Sequence, residues 1–229
     1  MIRDKVLEGK KTSTRGADTS EDTREKGELF TPEMKAQLET VFSRMGNSLV
    51  LKLYLDNRSV SKELQTYVEA LVAMTDKLTL EVVEEHNEEY APCVRLYRSD
   101  DSYTGLAFHG VPGGHEFTSF VLGMYNAAGP GQTIEEDIRK RIQGLSKPVD
   151  IKLLVTLSCT MCPDLVVAAE HMAAIGDKIT TEVYDILHFE SLKNKYNVMS
   201  VPCMVINNEY VYFGKKNMQQ VLELLEGIQ

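Results

Sequence analysis

The sequence predicts an α/β fold, a mixed central sheet flanked by helices, built twice in tandem. Three observations carry this. Strand-like apolar runs alternate with amphipathic helical runs along most of the 229 residues. Asp76-Lys77-Leu78-Thr79-Leu80-Glu81-Val82 returns as Asp177-Lys178-Ile179-Thr180-Thr181-Glu182-Val183, an offset of 101 residues (177 minus 76). Cys159 and Cys162 stand where a strand pattern gives way to a helix pattern.

An offset near one hundred residues is too long for a solenoid and indicates a duplicated domain. The expected division is a flexible N-terminal tail over 1–28, a first fold over 29–130 and a second over 131–229. The tail is rich in charged residues, Thr and Gly and has little to bury.

In the first fold, Thr31-Pro32 opens a helix, a capping hydroxyl followed by Pro at the first helical position. Met34, Leu38, Val41 and Phe42 give it one apolar face. Leu49–Leu55 reads as a strand, Ser61–Met74 as a helix, and Leu78–Val83 as an alternating strand. Cys93–Tyr97 and Tyr103–Phe108 are further strands, before a glycine-rich turn and a helix from His115 to about Tyr125. The second fold repeats the order: helix Thr133–Ile142, strand Ile151–Leu157, helix Cys162–Ile175, strand Ile179–Tyr184, and short helix Ser191–Tyr196. A hairpin around Asn207-Asn208 and a last helix, Met218–Leu225, complete it. Ala91-Pro92-Cys93 pairs with Val201-Pro202-Cys203, and Gly110 with Gly214.

Composition narrows the function. Hydrophobic residues at 43% and charged residues at 26% are those of an ordinary globular chain. A net charge of −9 argues against nucleic acid as a partner. No apolar run suits a bilayer crossing, and residues 1–26 lack an apolar signal core, so a cytoplasmic chain without a membrane partner is expected. Four cysteines in such a chain point to catalysis or metal rather than a disulfide framework.

The stretch Leu157-Ser158-Cys159-Thr160-Met161-Cys162-Pro163 carries the chemistry. A C-x-x-C at a helix start places the first thiol where unpaired backbone N–H groups and the helix dipole favour a thiolate. Cys159 is therefore read as the nucleophile and Cys162 as the resolving thiol. Cys203 reads as a small buried hydrophobe, with a candidate auxiliary thiol as the alternative. Zinc would need two ligands beyond Cys159 and Cys162. Cys203, His171 and His188 are available, but no second C-x-x-C or paired His spacing appears. The run His109–His115 lacks the Lys-Ser/Thr of a phosphate loop and reads as a connection into a helix. There is no G-x-G-x-x-G, so no dinucleotide or flavin cofactor is expected on this chain.

A β-C-x-x-C-α-β unit followed by a Pro before the next strand, a hairpin and a helix resembles thioredoxin. Two in tandem, with Gly114-His115-Glu116-Phe117-Thr118-Ser119 and Tyr196-Asn197-Val198-Met199-Ser200-Val201-Pro202, resemble the N-terminal domain of the flavoprotein subunit of alkyl hydroperoxide reductase. The chain is also similar to the archaeal protein disulfide oxidoreductases. Those have a C-x-x-C in each half, whereas the offset of 101 puts Arg58 and Ser61 in the cysteine seats of the first half here (159 minus 101, 162 minus 101). Ser158 and Leu153 stand where a thioredoxin has its Trp and its upstream acid.

The resemblance implies a thiol–disulfide oxidoreductase reduced by a thioredoxin reductase-like flavoprotein and passing electrons to a peroxiredoxin or other protein disulfides. It implies that Glu116 reaches across from the first fold as proton acceptor for the dithiol; the alternative is an acid that only favours its helix dipole. It implies that Pro202 is a cis-proline turning the backbone of Val201 toward a substrate strand. Two other functions stay open on the sequence: a non-enzymatic tandem-thioredoxin binding module, with its cysteines incidental or holding zinc, and a disulfide-forming oxidant.

Overall fold

The computed structural model describes residues 29–83 and 90–229; the expected tail over 1–28 lies outside them. The first half runs α1 (Pro32–Arg44), β1 (Leu49–Tyr54), α2 (Ser59–Val72), β2 (Leu78–Val83), β3 (Cys93–Arg98), β4 (Tyr103–His109) and α3 (Phe117–Ala128). The second runs α4 (Glu136–Gln143), β5 (Val149–Val155), α5 (Cys162–Ile175), β6 (Ile179–Asp185), α6 (Glu190–Lys195), β7 (Cys203–Ile206), β8 (Tyr210–Phe213) and α7 (Met218–Gly227). The repeat is thus structural, with α6 the added element among the described residues.

The eight described strands lie in one mixed sheet, ordered β2-β1-β3-β4-β6-β5-β7-β8. The halves meet where β4 pairs parallel with β6, Leu106 opposite Thr181 and His109 opposite Tyr184. Equivalent positions do equivalent work in the two halves. Cys93 pairs with Tyr54 and Cys203 with Leu154, each at the strand that leads to the C-x-x-C seat. Gly110 N–H donates to Pro92 O, and Gly214 N–H to Pro202 O, both at 3.0 Å. The Ala91–Pro92 and Val201–Pro202 bonds are both cis.

Strand alternation sorts the side chains into two layers. Leu153, Val155, Val183, Met204 and Ile206 pack with Leu38, Leu64, Phe120, Leu165 and Leu222 in the larger core, beneath the helices. Leu154, Tyr184, Cys203 and Val205 point the other way, into a smaller core with Phe189 and with Leu192 of α6. No described helix is long and apolar enough to cross a membrane.

Among the boundaries that differ from the sequence reading, three lie on the elements around Cys159 and α3. The helix expected from Thr133 starts at Glu136. The preceding residues are tied back to α3, with Gln132 N–H donating to Asn126 Oδ1 at 2.8 Å. The helix expected from His115 begins as a 3-10 turn, Gly114–Glu116, and only then becomes α3. β5 ends at Val155 rather than Leu157, and the Leu157 carbonyl accepts from His115 N–H at 3.0 Å.

Candidate active site

β5 delivers the chain to the site at its C-terminal end. A turn closed by Cys159 N–H donating to Thr156 O (3.0 Å) leads to Cys159, and α5 starts at Cys162. The helix therefore begins at the second cysteine, so Cys159 precedes it rather than sitting in its first turn. The two cysteines form a disulfide, their Cα atoms 5.6 Å apart. Cys162 is buried in the larger core, while Cys159 is half-buried at its edge. Met161 between them is 51% exposed. Pro163 occupies the first turn of α5, where a missing N–H costs nothing. Asp164 follows, its carboxylate 3.1 Å from Lys215 Nζ.

The first half reaches this site through the 3-10 turn. Gly114 has φ +54°, and a β-carbon there would stand 2.5 Å from the Leu157 carbonyl oxygen, so only glycine lets the turn dock. The contact holds the 3-10 turn that carries Glu116 against the segment between β5 and Cys159. From there α3 and α5 run side by side. Thr118 and Ser119 line one groove with Pro163 and Asp164, and Leu122 with Val167, in a cavity of about 850 Å³. Further along, Gly123 meets Glu170. Glu116 closes the 3-10 turn immediately before α3, close enough to α5 for its charge to act on Glu170.

Glu116 is fully buried. Its Oε2 accepts from Ser119 Oγ, and its Oε1 has no partner among the described residues. Burial, only partly opposed by the Ser119 bond, pushes its carboxyl up to about 7. Glu170 is 2% exposed, with Oε2 unpartnered among the described residues. Burial and the nearby Glu116 hold it well above the ordinary carboxyl range. The sequence reading missed Glu170. Its signal was an acid inside Leu165–Ala173, a helical run apolar on every side and hence buried.

The remaining sequence candidates separate. Val201 packs against the same core as Cys159 and lies just outside the ladder that begins at Cys203. Pro202 is buried beside it. Cys203 is fully buried on the opposite layer from Cys162, and burial pushes its thiol up to about 11. That placement suits a packing residue. Among the described residues no three His, Cys, Asp or Glu side chains cluster as a metal site would need.

Residues 149–226 match the thioredoxin domain family. Among solved structures, the chain is 34% identical to the NTD_N/C domain of alkylhydroperoxide reductase AhpF from Enterococcus faecalis, with a TM-score of 0.81, over 86% of this chain and 99% of that one. The chain belongs to the family of AhpF N-terminal domains. Against the alkyl hydroperoxide reductase AhpF protein of Pseudomonas aeruginosa it is 28% identical over 86% of this chain, spanning 37% of that protein's length. A protein disulfide oxidoreductase from Aeropyrum pernix shares the fold, with a TM-score of 0.74 at 18% identity, over 86% of this chain and 93% of that one. Within the AhpF N-terminal domain family, the C-x-x-C pair of this chain is present and closed as a disulfide.

Proposed function

We propose that this chain is a thiol–disulfide oxidoreductase that relays electrons from a flavoprotein reductase to a peroxiredoxin or other protein disulfides. The observation that carries the reading is the Cys159–Cys162 disulfide at the start of α5, with Cys162 buried and Cys159 half-buried at the edge of the core. Residues 131–229 form the fold that holds the dithiol, and residues 29–130 the fold that supplies Glu116.

The reduced Cys159 thiolate attacks one sulfur of the partner disulfide. A mixed disulfide forms and the other partner sulfur leaves as a thiolate. The Cys162 thiol gives its proton to Glu116 and attacks Cys159 Sγ, closing the Cys159–Cys162 bond. The second partner sulfur is released, and the two partner thiolates take up protons. A carboxyl near 7 accepts a proton and returns it at neutral pH. Val201 presents its backbone to the partner strand that carries the disulfide. Two electrons and two protons from the donor restore the dithiol.

The deciding experiment is an equilibrium titration against glutathione or dithiothreitol, read by alkylation and mass spectrometry. The expected result is one two-electron couple on Cys159 and Cys162. A midpoint near or below about −230 mV marks a reductant, and one near about −120 to −180 mV an oxidant. Thiols that stay protected, with one metal ion per chain, would replace the redox reading with a binding module.

A further inference from the structure

In the half without a dithiol, the two cysteine seats are not empty of interactions. Asp56, at the end of the β1 exit, gathers both of their occupants. Its Oδ1 accepts from Arg58 N–H at 2.9 Å and from Ser61 Oγ at 2.6 Å, and its Oδ2 accepts from Arg58 Nε at 2.7 Å. The guanidinium so oriented extends past its own helix. Nη2 donates to the carbonyl of Ala91, and Nη1 donates to the carbonyl of His188 at 2.8 Å. Its central carbon lies 5.4 Å from the ring centre of Phe189.

Ala91 is the first-half counterpart of Val201, as the strand register and the matching Gly110 and Gly214 hydrogen bonds establish. Val201 takes part in no loop hydrogen bond among the described residues. Ala91 differs because its carbonyl is already taken. His188 and Phe189 belong to the second half, between β6 and α6. One side chain therefore fills the backbone acceptor of the first half and ties that loop to the second.

We propose that Arg58 is a built-in occupant of the first half's docking loop, masking at Ala91 a site for an extended peptide backbone of the kind that Val201 offers in the second half. This rests on the reading of Val201 as the docking residue. Arg58 thereby acts as a specificity-determining residue: a disulfide-bearing strand pairs beside Cys159, where exchange follows, and not beside a half that holds no thiol pair. A guanidinium suits the task because its fork reaches a carboxylate and two carbonyls at once, which an ammonium on one stem does not.

The test uses isotope-labelled full chain and a soluble, cysteine-free extended hexapeptide, with amide shifts followed by NMR. In the wild type, the peptide is expected to shift Val201 and Cys203 and leave Ala91 and Cys93 unmoved. In Arg58→Ala it is expected to shift both sets, doubling the binding stoichiometry, and added n-propylguanidinium is expected to silence the Ala91 set again. Asp56→Asn, which frees the guanidinium from its anchor without removing it, is expected to open the same site more weakly, and serves if Arg58→Ala does not fold. Shifts at Val201 alone in the Arg58 and Asp56 variants would overturn the proposal and leave the docking reading standing. So would shifts at Ala91 in the wild type. Absence of shifts at Val201 in every protein would sink the docking reading and the proposal together.

Discussion

Glu170 on α5 ends against Gly123 on α3: a β-carbon at position 123 would come within 2.6 Å of Oε2. The absent side chain is what lets a carboxyl fit between two packed helices. Gly123→Ala is expected to displace Glu170 and cost about 1–3 kcal/mol, the range of overpacking. In a double-mutant cycle with Glu170→Ala the cost should largely vanish, because the clashing atoms are gone. Denaturant melts of the four proteins check this, and additive losses would refute the contact.

The two buried acids make stability depend on pH in a set direction. Glu116 and Glu170 both have folded pKa values raised above 4.5, Glu116 to about 7. Their contribution is full below the unfolded value and is lost as pH rises through the folded ones. Glu182, at the β4–β6 seam, behaves oppositely. Burial works to raise it, but His109 at 3.7 Å, the Tyr184 hydroxyl at 2.6 Å and Arg95 at 3.6 Å outweigh this and hold it at about 2. Its contribution is present above 4.5 and lost as pH falls toward 2. Melting curves from about pH 3 to 9 should therefore pass through a maximum on the acid side of neutral. Glu116→Gln and Glu170→Gln should each flatten the alkaline fall, Glu116→Gln by on the order of 3 kcal/mol at pH 8. Glu182→Gln should shrink the acid fall, leaving the part that other carboxylates held below their ordinary range, such as Asp56, contribute.

Glu116→Gln also tests the proton acceptor. Resolution of the mixed disulfide is expected to slow by about 10²-fold at neutral pH and to lose its inflection near 7, while the initial attack by Cys159 keeps its rate. Gly114→Ala should slow the same step, since its β-carbon would push the turn off Leu157 and carry Glu116 away. Stopped-flow measurement of the two phases separates the effects. An unchanged resolution rate and pH profile in Glu116→Gln would reduce this residue to a packing role.

Thiol labelling of the reduced native chain should be strongly graded. Cys159 is expected to react first and Cys162 more slowly. Cys203, fully buried and with its thiol pushed up to about 11, should react only after denaturant is added. Cys203→Ala should leave the midpoint potential of the dithiol unchanged. A shift in that potential would place the third thiol in contact with the site after all.

Much of this architecture was legible because local pattern and global fold agree. The alternation in Leu78–Val83, the capping Thr31-Pro32 pair and the Asn207-Asn208 hairpin each depend on near neighbours, and each lies where the pattern placed it. The dithiol was legible for the same reason, since strand, thiols and helix are contiguous. What escaped the sequence depends on partners distant in the chain. Glu170 acquires its meaning from Gly123, and His109 from Glu182 and Tyr184, which lie across the seam between the halves. The start of α4 escaped for a like reason, set by Asn126 in another helix. Arg58 and Ser61 are legible in the cysteine seats, but not the Asp56, Ala91 and His188 atoms that accept their hydrogen bonds.

The seam itself has one more consequence. Each half brings a different edge to it, β4 from one and β6 from the other, so the joining operation does not close on itself. The edges left at the ends, β2 and β8, are the counterparts of β6 and β4. Among the described strands, the outer pair of edges is therefore the same pair by which the two halves are joined, the geometry of a ribbon that a further unit would extend. A β8 of only four residues, and a β2 edge carrying Glu81 paired with Lys52, are the means by which such growth is discouraged.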